Sequence, residues 1–392
     1  MYNNLVCNNI NNMKNSEFNP FVVGKYVSAE YFCDREKETE MLKKQLRNGR
    51  NVTMIADRRL GKSELIRHLF AQPDIQGQYY TLMVDLYSTG SLAELVCQFS
   101  QEAYRTLPVH VSSWRDKFFR TISSLRVGFK LDALTGVPTF DIGLGDIHEP
   151  EVTLQQVFAF LEQADKPCVV AFDEFQQIAQ YEEHNVEALL RTYIQNCKQT
   201  QFIFAGSRRH LMTQMFLSPA KPFYQSAVSI GLEPIPQDVY VTFAQTMFAK
   251  GGKQVEEQAV RRVYEEYRGI TWYMQLILNE LYSITLKGGI CTADMTETAA
   301  ENAVLVQQPF YRDLLAAMPS RQKRLLYAIA KERVARNLAS ESFVQKHGLQ
   351  SASSVQSALR ALREKDIVTD RDNGWSIYDA FLEKYIRTCI SL

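Results

Sequence analysis

Five short apolar runs, each bounded by polar or turn residues, punctuate the first two-thirds of the chain at residues 52–55, 82–86, 168–173, 202–206 and 227–232. None alternates apolar with polar positions, so each predicts a strand covered on both faces, as in a parallel sheet. Helical spacing of apolar residues fills the intervals at 62–71, 92–105, 154–163, 186–198 and 209–216. Strand and helix in alternation predict an α/β domain built on a parallel five-stranded sheet, with ligands at the carboxyl ends of the strands. One stretch, about residues 126–145, departs from the alternation. Two segments of alternating pattern flank Leu134-Thr135-Gly136, which predicts a β-hairpin insertion.

Past residue 236 helical spacing takes over, at 238–250, 254–268, 272–286 and 296–317, giving a helical lid after the α/β core. From Pro319 three more helical stretches, 321–331, 340–347 and 351–365, precede strand-like residues 367–369 and 375–377 around a turn of Asp, Arg, Asn and Gly. The third opens on Ser351, a capping residue. Three helices and a two-stranded ribbon predict a winged helix-turn-helix. The expected division is a disordered N-terminus over 1–18, a core over 19–236, a lid over 237–318 and a winged helix over 319–392.

Chemistry enters at the end of the first run. Ala56-Asp57-Arg58-Arg59-Leu60-Gly61-Lys62-Ser63 follows a predicted strand and opens a predicted helix, with Glu64 in its first turn. This is the context that a phosphate-binding G-x-x-x-x-G-K-[ST] loop requires. Backbone N–H groups of such a turn hold phosphates, Lys62 reaches the β and γ oxygens, and the Ser63 hydroxyl ligates magnesium. Ala56 replaces the first glycine. The run at 168–173 ends in Asp173 followed by Glu174, the pairing expected to hold the magnesium (Asp173) and to polarise the attacking water (Glu174). A third strand end carries Ser207, placed for the γ-phosphate or the water, and Arg208 and Arg209, either of which is suited to transition-state charge. The cofactors expected are ATP and Mg2+.

Composition narrows the partners. The 44 basic and 44 acidic residues cancel, which removes any argument for a wholesale polyanion binder. From Pro319 onward, however, thirteen Lys and Arg face eight Asp and Glu, so the tail is basic and the remainder acidic. That asymmetry keeps double-stranded DNA open as a partner of the winged helix beside a protein partner. The seven cysteines are scattered without a C-x-x-C, as reduced thiols are, and the six histidines form no metal-binding pair. The Asn-rich N-terminus has no apolar signal region, and no apolar run approaches the roughly 20 residues of a membrane span. A cytoplasmic location is expected, with no membrane partner; oligomeric state is not readable.

The motifs NPFVVGKYV, YFCDREKETEMLKKQL, ADRRLGKSELI, VVAFDEFQQIAQY, FIFAGSRRHLMTQMF and YRGITWYMQLILNEL together resemble the archaeal-type P-loop ATPase family, a branch near the AAA+ and STAND ATPases. The resemblance covers roughly residues 19–285 and implies an ATP hydrolase with a winged helix following. It further implies that Phe21 and Arg35 wrap the adenine and ribose side of the nucleotide and that the lid segment around Gly269-Ile270-Thr271 approaches it. Many members carry Gly-x-Pro there, and Thr271 departs from that pattern. The reading that follows is an ATPase coupling nucleotide state to its lid and winged helix. An ATP-licensed DNA-binding regulator and an ATP-binding protein with negligible turnover are the alternatives.

Overall fold

The computed structural model describes residues 18–106, 112–125, 130–131, 138–139, 142–371 and 374–389. They form two compact units, one of residues 24–239 with 270–272 and the other of the residues up to Val23, 240–269 and 273 onward.

The first unit is built on β1 (Val52–Ile55), β2 (Tyr80–Asp85), β3 (Cys168–Asp173), β4 (Thr200–Gly206) and β5 (Val228–Gly231), in the order β2-β3-β4-β1-β5 with every neighbour parallel. The helices are α1 (Glu36–Arg47), α2 (Lys62–Phe70), α3 (Pro73–Gln78), α4 (Leu92–Thr106), α5 (Ser112–Thr121), α6 (Pro150–Leu161), α7 (Val186–Asn196) and α8 (Arg209–Leu217). All six residues of β3 are buried, which explains the unbroken apolar run. Successive strand residues face opposite sides of the sheet. Phe172, Phe202 and Phe204 stack into one core with Phe99 and Phe158, while Val169, Ala171, Ile203 and Ala205 join a second core with Leu65, Ile66 and Leu69 of α2. The small side chains of Ala171 and Ala205 let α2, the helix that follows the Lys-Ser pair, lie close to the sheet. The register sets Asp85 opposite Asp173 and Ile55 opposite Gly206, so the carboxyl ends of the strands form one edge.

Several boundaries move. β2 and β4 begin two residues before their apolar runs because Tyr80 and Thr200 still join the ladder, and α6 begins at Pro150, whose fixed backbone suits a first helical turn. The hairpin insertion appears as an antiparallel pairing of Lys130–Leu131 with Pro138–Thr139; its turn at Leu134-Thr135-Gly136 lies outside the described residues, as does most of the N-terminal segment.

The second unit contains α9 (Gln237–Lys250, from Tyr240), α10 (Glu257–Tyr267), α11 (Thr271–Ile284, from Tyr273) and α12 (Met295–Ala316). Strand pairing does not end with the core, because Gln254–Val255 pairs in parallel with Ile290–Cys291. Two residues are too short to leave a periodic signature. The winged helix follows in the same unit as α13 (Ser320–Glu332), α14 (Glu341–Lys346), α15 (Ala352–Glu364), the ribbon β6 (Val368–Arg371) and β7 (Gly374–Ile377), and a helix absent from the sequence reading, α16 (Ala380–Cys389). Ser340 and Ser351 cap α14 and α15 by accepting from the Phe343 and Ser354 N–H groups. Ala335 adds a third strand position, exchanging two 2.8 Å hydrogen bonds with Trp375.

Asp379 joins α11 and α12 to the winged helix. Its carboxylate accepts from the hydroxyls of Tyr273 and Tyr311, each at 3.2 Å, and from the Phe381 N–H at 2.9 Å at the start of α16. Lys384 of α16 reaches Glu297 of α12 at 2.7 Å. A helix cap combined with two charge-assisted bonds makes Asp379→Ala cost about 2 kcal/mol. The expected outcome is faster hydrogen exchange through α16 with unchanged exchange in the β-sheet of the first unit; uniform protection in both would contradict the anchoring role.

Candidate active site

The loop expected to hold phosphate runs from Ala56 to Gly61 between β1 and α2. Its turn needs two left-handed residues, Arg59 (φ 70°) and Gly61 (φ 90°), and Gly61 supplies the conformation that side chains disfavour directly before α2. Ala56 is outside the left-handed region and its methyl group is fully buried in the core around α2, so this position does not require glycine. Lys62 is 5% exposed and its Nζ donates to the Ala56 and Asp57 carbonyl oxygens, both at 3.1 Å. Burial pushes its ammonium below the usual lysine range, opposed by the charges of Glu174, Asp173, Asp57 and Glu64.

The Ser63 hydroxyl donates a hydrogen bond to Asp173 Oδ2. Asp173, 6% exposed at the end of β3, is pushed up to about 6 by burial and by Glu174, against the lowering effects of Ser63 and Lys62. Glu174 stands in left-handed backbone (φ 51°), and its N–H donates to Asp173 Oδ1 at 3.0 Å. The sharp turn gives two consecutive acids different partners. Glu174 Oε2 accepts from Ser207 Oγ at 2.7 Å and from Gln176 Nε2, and Ser207 Oγ in turn accepts from Arg58 Nε at 3.3 Å. Loop, β3 end and β4 end thereby form one network of Arg58, Ser207, Glu174 and Gln176 beside the Lys62, Ser63 and Asp173 group.

Among the other expected residues, Arg208 is half-buried at the start of α8 and Arg209 is exposed. Arg35, buried and left-handed (φ 78°), pairs with Glu38 at 2.8 Å and approaches the Leu60 carbonyl at 3.5 Å, so it braces the loop backbone. Phe21 belongs to the other unit. It is fully buried there, its ring enclosed by Phe243, Phe248 and Tyr282. Thr271 does approach the loop: its hydroxyl donates to the Leu60 carbonyl at 3.3 Å, the Trp272 N–H donates to the Arg59 carbonyl at 3.0 Å, and the Arg59 guanidinium lies 4.3 Å over the Trp272 ring. Where many relatives of the resembled family carry proline, this chain uses a hydroxyl donor. Gln176 was not legible as a site residue, because no spacing rule singles out a glutamine two places after a strand-end acid.

A family described as a probable winged helix domain matches residues 309–388, beginning inside α12 ahead of Pro319, where Tyr311 reaches Asp379. No curated protein matches the chain by sequence. Among solved structures, the fold is similar to that of a Walker-type ATPase of Pyrococcus abyssi, with a TM-score of 0.64 and 19% identity over 94% of this chain and 99% of that one. It is also similar to the Aeropyrum pernix ORC1 protein in complex with DNA (TM-score 0.51, 12% identity, 92% and 93% covered). The Aeropyrum pernix ORC2 protein in its ADPNP-ADP complexes gives a TM-score of 0.50 at 12% identity, with 94% and 97% covered. At such identities the likeness is one of fold. The chain has the α/β fold of P-loop ATPases, with a winged helix at its C-terminal end.

Proposed function

We propose that the chain binds ATP with magnesium and hydrolyses it at the site between β1, β3 and β4. The observation that carries this is the convergence of Lys62, Ser63, Asp173 and Glu174, from two distant motifs, on one edge of the sheet. Magnesium fits the residues present. Ser63 and Asp173 offer a hydroxyl and a carboxylate in direct contact, and the carboxylate's burial makes its charge costly without a cation. Among the described residues no cluster of three His, Cys, Asp or Glu could enclose a metal alone. The pair therefore suits a cation that takes its other ligands from phosphate oxygens and water. Magnesium, when bound, neutralises charge on the phosphates.

The chain's own residues do the rest. The α2 N-terminus and the loop N–H groups take the phosphate oxygens, and Lys62 turns from the carbonyls of Ala56 and Asp57 to the β and γ oxygens. Glu174 accepts the proton of the attacking water as the water oxygen bonds to the γ-phosphorus and the bond to the bridging oxygen of ADP breaks. Ser207 and Arg208 lie at the strand end where negative charge grows. Thr271 and Trp272, bonded to the loop carbonyls, are suited to register nucleotide in the loop and hand that state to the helix they begin. Duplex DNA at the winged helix is a second reading, favoured by its excess of basic residues and by Gln356, Arg360 and Arg363 standing exposed on α15. Beside it, α15 and the ribbon border an open cleft of about 660 Å³ lined by Leu338, Val355, Leu359 and Trp375 together with the polar Arg336, Asn337, Gln356 and Asp370, a mixed surface that a protein partner would also fit.

Steady-state hydrolysis with magnesium tests the main reading. Lys62→Ala and Glu174→Gln each lower turnover by at least about 100-fold, and Glu174→Gln still binds ATP; unchanged turnover in either would overturn the assignment. Stimulation by duplex DNA would make the winged helix a nucleic-acid module, and its absence favours the protein partner.

Asp173 gives a separate expectation. Its carboxyl is raised from 3.8 to about 6, so its contribution to stability is fully present below pH 4 and is lost as pH rises through about 6. At pH 7.5 the buried charge is a net cost in nucleotide-free protein. Asp173→Asn should then raise the melting temperature of that form by about 3 °C while abolishing turnover. A lowered melting temperature would contradict this balance.

A further inference from the structure

We propose that Gln176 is a positioning residue for Glu174, fixing which carboxylate oxygen faces the attacking water. The inference rests on the reading of the site as an ATPase. Gln176 is 2% exposed, two residues past Glu174 at the start of a short 3₁₀ segment, Phe175–Gln180. Its Nε2 donates to Glu174 Oε2, the same oxygen that accepts from Ser207 at 2.7 Å. Two protein donors on one oxygen fix the plane of the carboxylate and leave Oε1 as the oxygen to receive a water.

The opposite end of the amide adds no hydrogen bond to the fold. Gln176 Oε1 is buried and, among the described residues, finds no hydrogen-bond partner. A buried acceptor without a donor destabilises the fold, and methionine would fill the same volume without that cost. The backbone of β4 accommodates the amide closely: a Cβ at residue 206 would stand 2.5 Å from Gln176 Oε1 and closer still to Met212 Sδ, so Gly206 leaves the space the amide occupies. A half-satisfied glutamine is thus seated under a glycine with its donor end on the general base. Through Ser207 the same carboxylate oxygen connects to Arg58 of the phosphate loop.

The test uses Gln176→Met and Gln176→Glu in the full chain, with kcat from steady-state hydrolysis, affinity from calorimetric titration with magnesium and ATP, and melting temperature as a check on folding. Gln176→Met should lower kcat by about tenfold while the ATP dissociation constant stays within about twofold. Gln176→Glu sets an acceptor against Glu174. Measured against wild type at the same pH, its loss should be deeper at pH 8 and relax toward the wild-type level at pH 6, as the introduced carboxyl regains a proton to donate. A purely structural glutamine would not produce that pH-dependent recovery. Wild-type kcat in both variants, loss of affinity in step with kcat, or a Gln176→Glu defect independent of pH would each overturn the proposal. Wild-type protein without turnover would remove the ATPase reading and this inference with it, whereas an active wild type matched by its variants would remove the inference alone.

Discussion

The ammonium of Lys62 lies almost out of water, held by two loop carbonyls and by the field of Glu174, Asp173, Asp57 and Glu64. An ammonium buried alone would lose its proton, and a carboxylate buried alone would gain one, as Asp173 begins to do. Each tolerates burial because the other is near, and that proximity depends on the sheet. β1 must end where β3 and β4 end, α2 must lie close enough for Ser63 to reach Asp173, and Ala171 and Ala205 must be small for α2 to do so. The same constraint leaves an incomplete charge arrangement, stable enough to fold and still short of positive charge beside Asp173. An arrangement of that kind is what the proposed binding of a cation and phosphate together would complete.

Much of this was legible in the sequence because it rests on runs and spacings. Unbroken apolar runs identified the buried parallel strands, and ADRRLGKS between strand and helix identified the loop. Asp173 and Glu174 were placed at a strand end, and the left-handed backbone at Glu174 gives the two acids different partners. What escaped has no periodic or motif signal. Gln176 and Gly206 matter through a close approach between β4 and the turn after β3. α16 follows the ribbon directly, and its contacts with α12 join parts of the chain far apart in sequence.

The chain passes from one compact unit to the other between Trp272 and Tyr273. On one side of that peptide bond Thr271 and Trp272 are bonded to the phosphate loop; on the other the Tyr273 hydroxyl donates to Asp379 and accepts from the Ala380 N–H at the start of α16. The loop that would grip phosphate and the anchor of the winged helix are therefore served by adjacent residues of one helix.

The most direct test of the central claim is the identity of the nucleotide left on the protein after one turnover. Wild type and Glu174→Gln would each be mixed with less than one equivalent of γ-labelled ATP and magnesium, then separated from free nucleotide and quenched. The account predicts ADP on the wild type with labelled phosphate released, and intact ATP retained on Glu174→Gln. Intact ATP on both proteins, or no retained nucleotide on either, would contradict it.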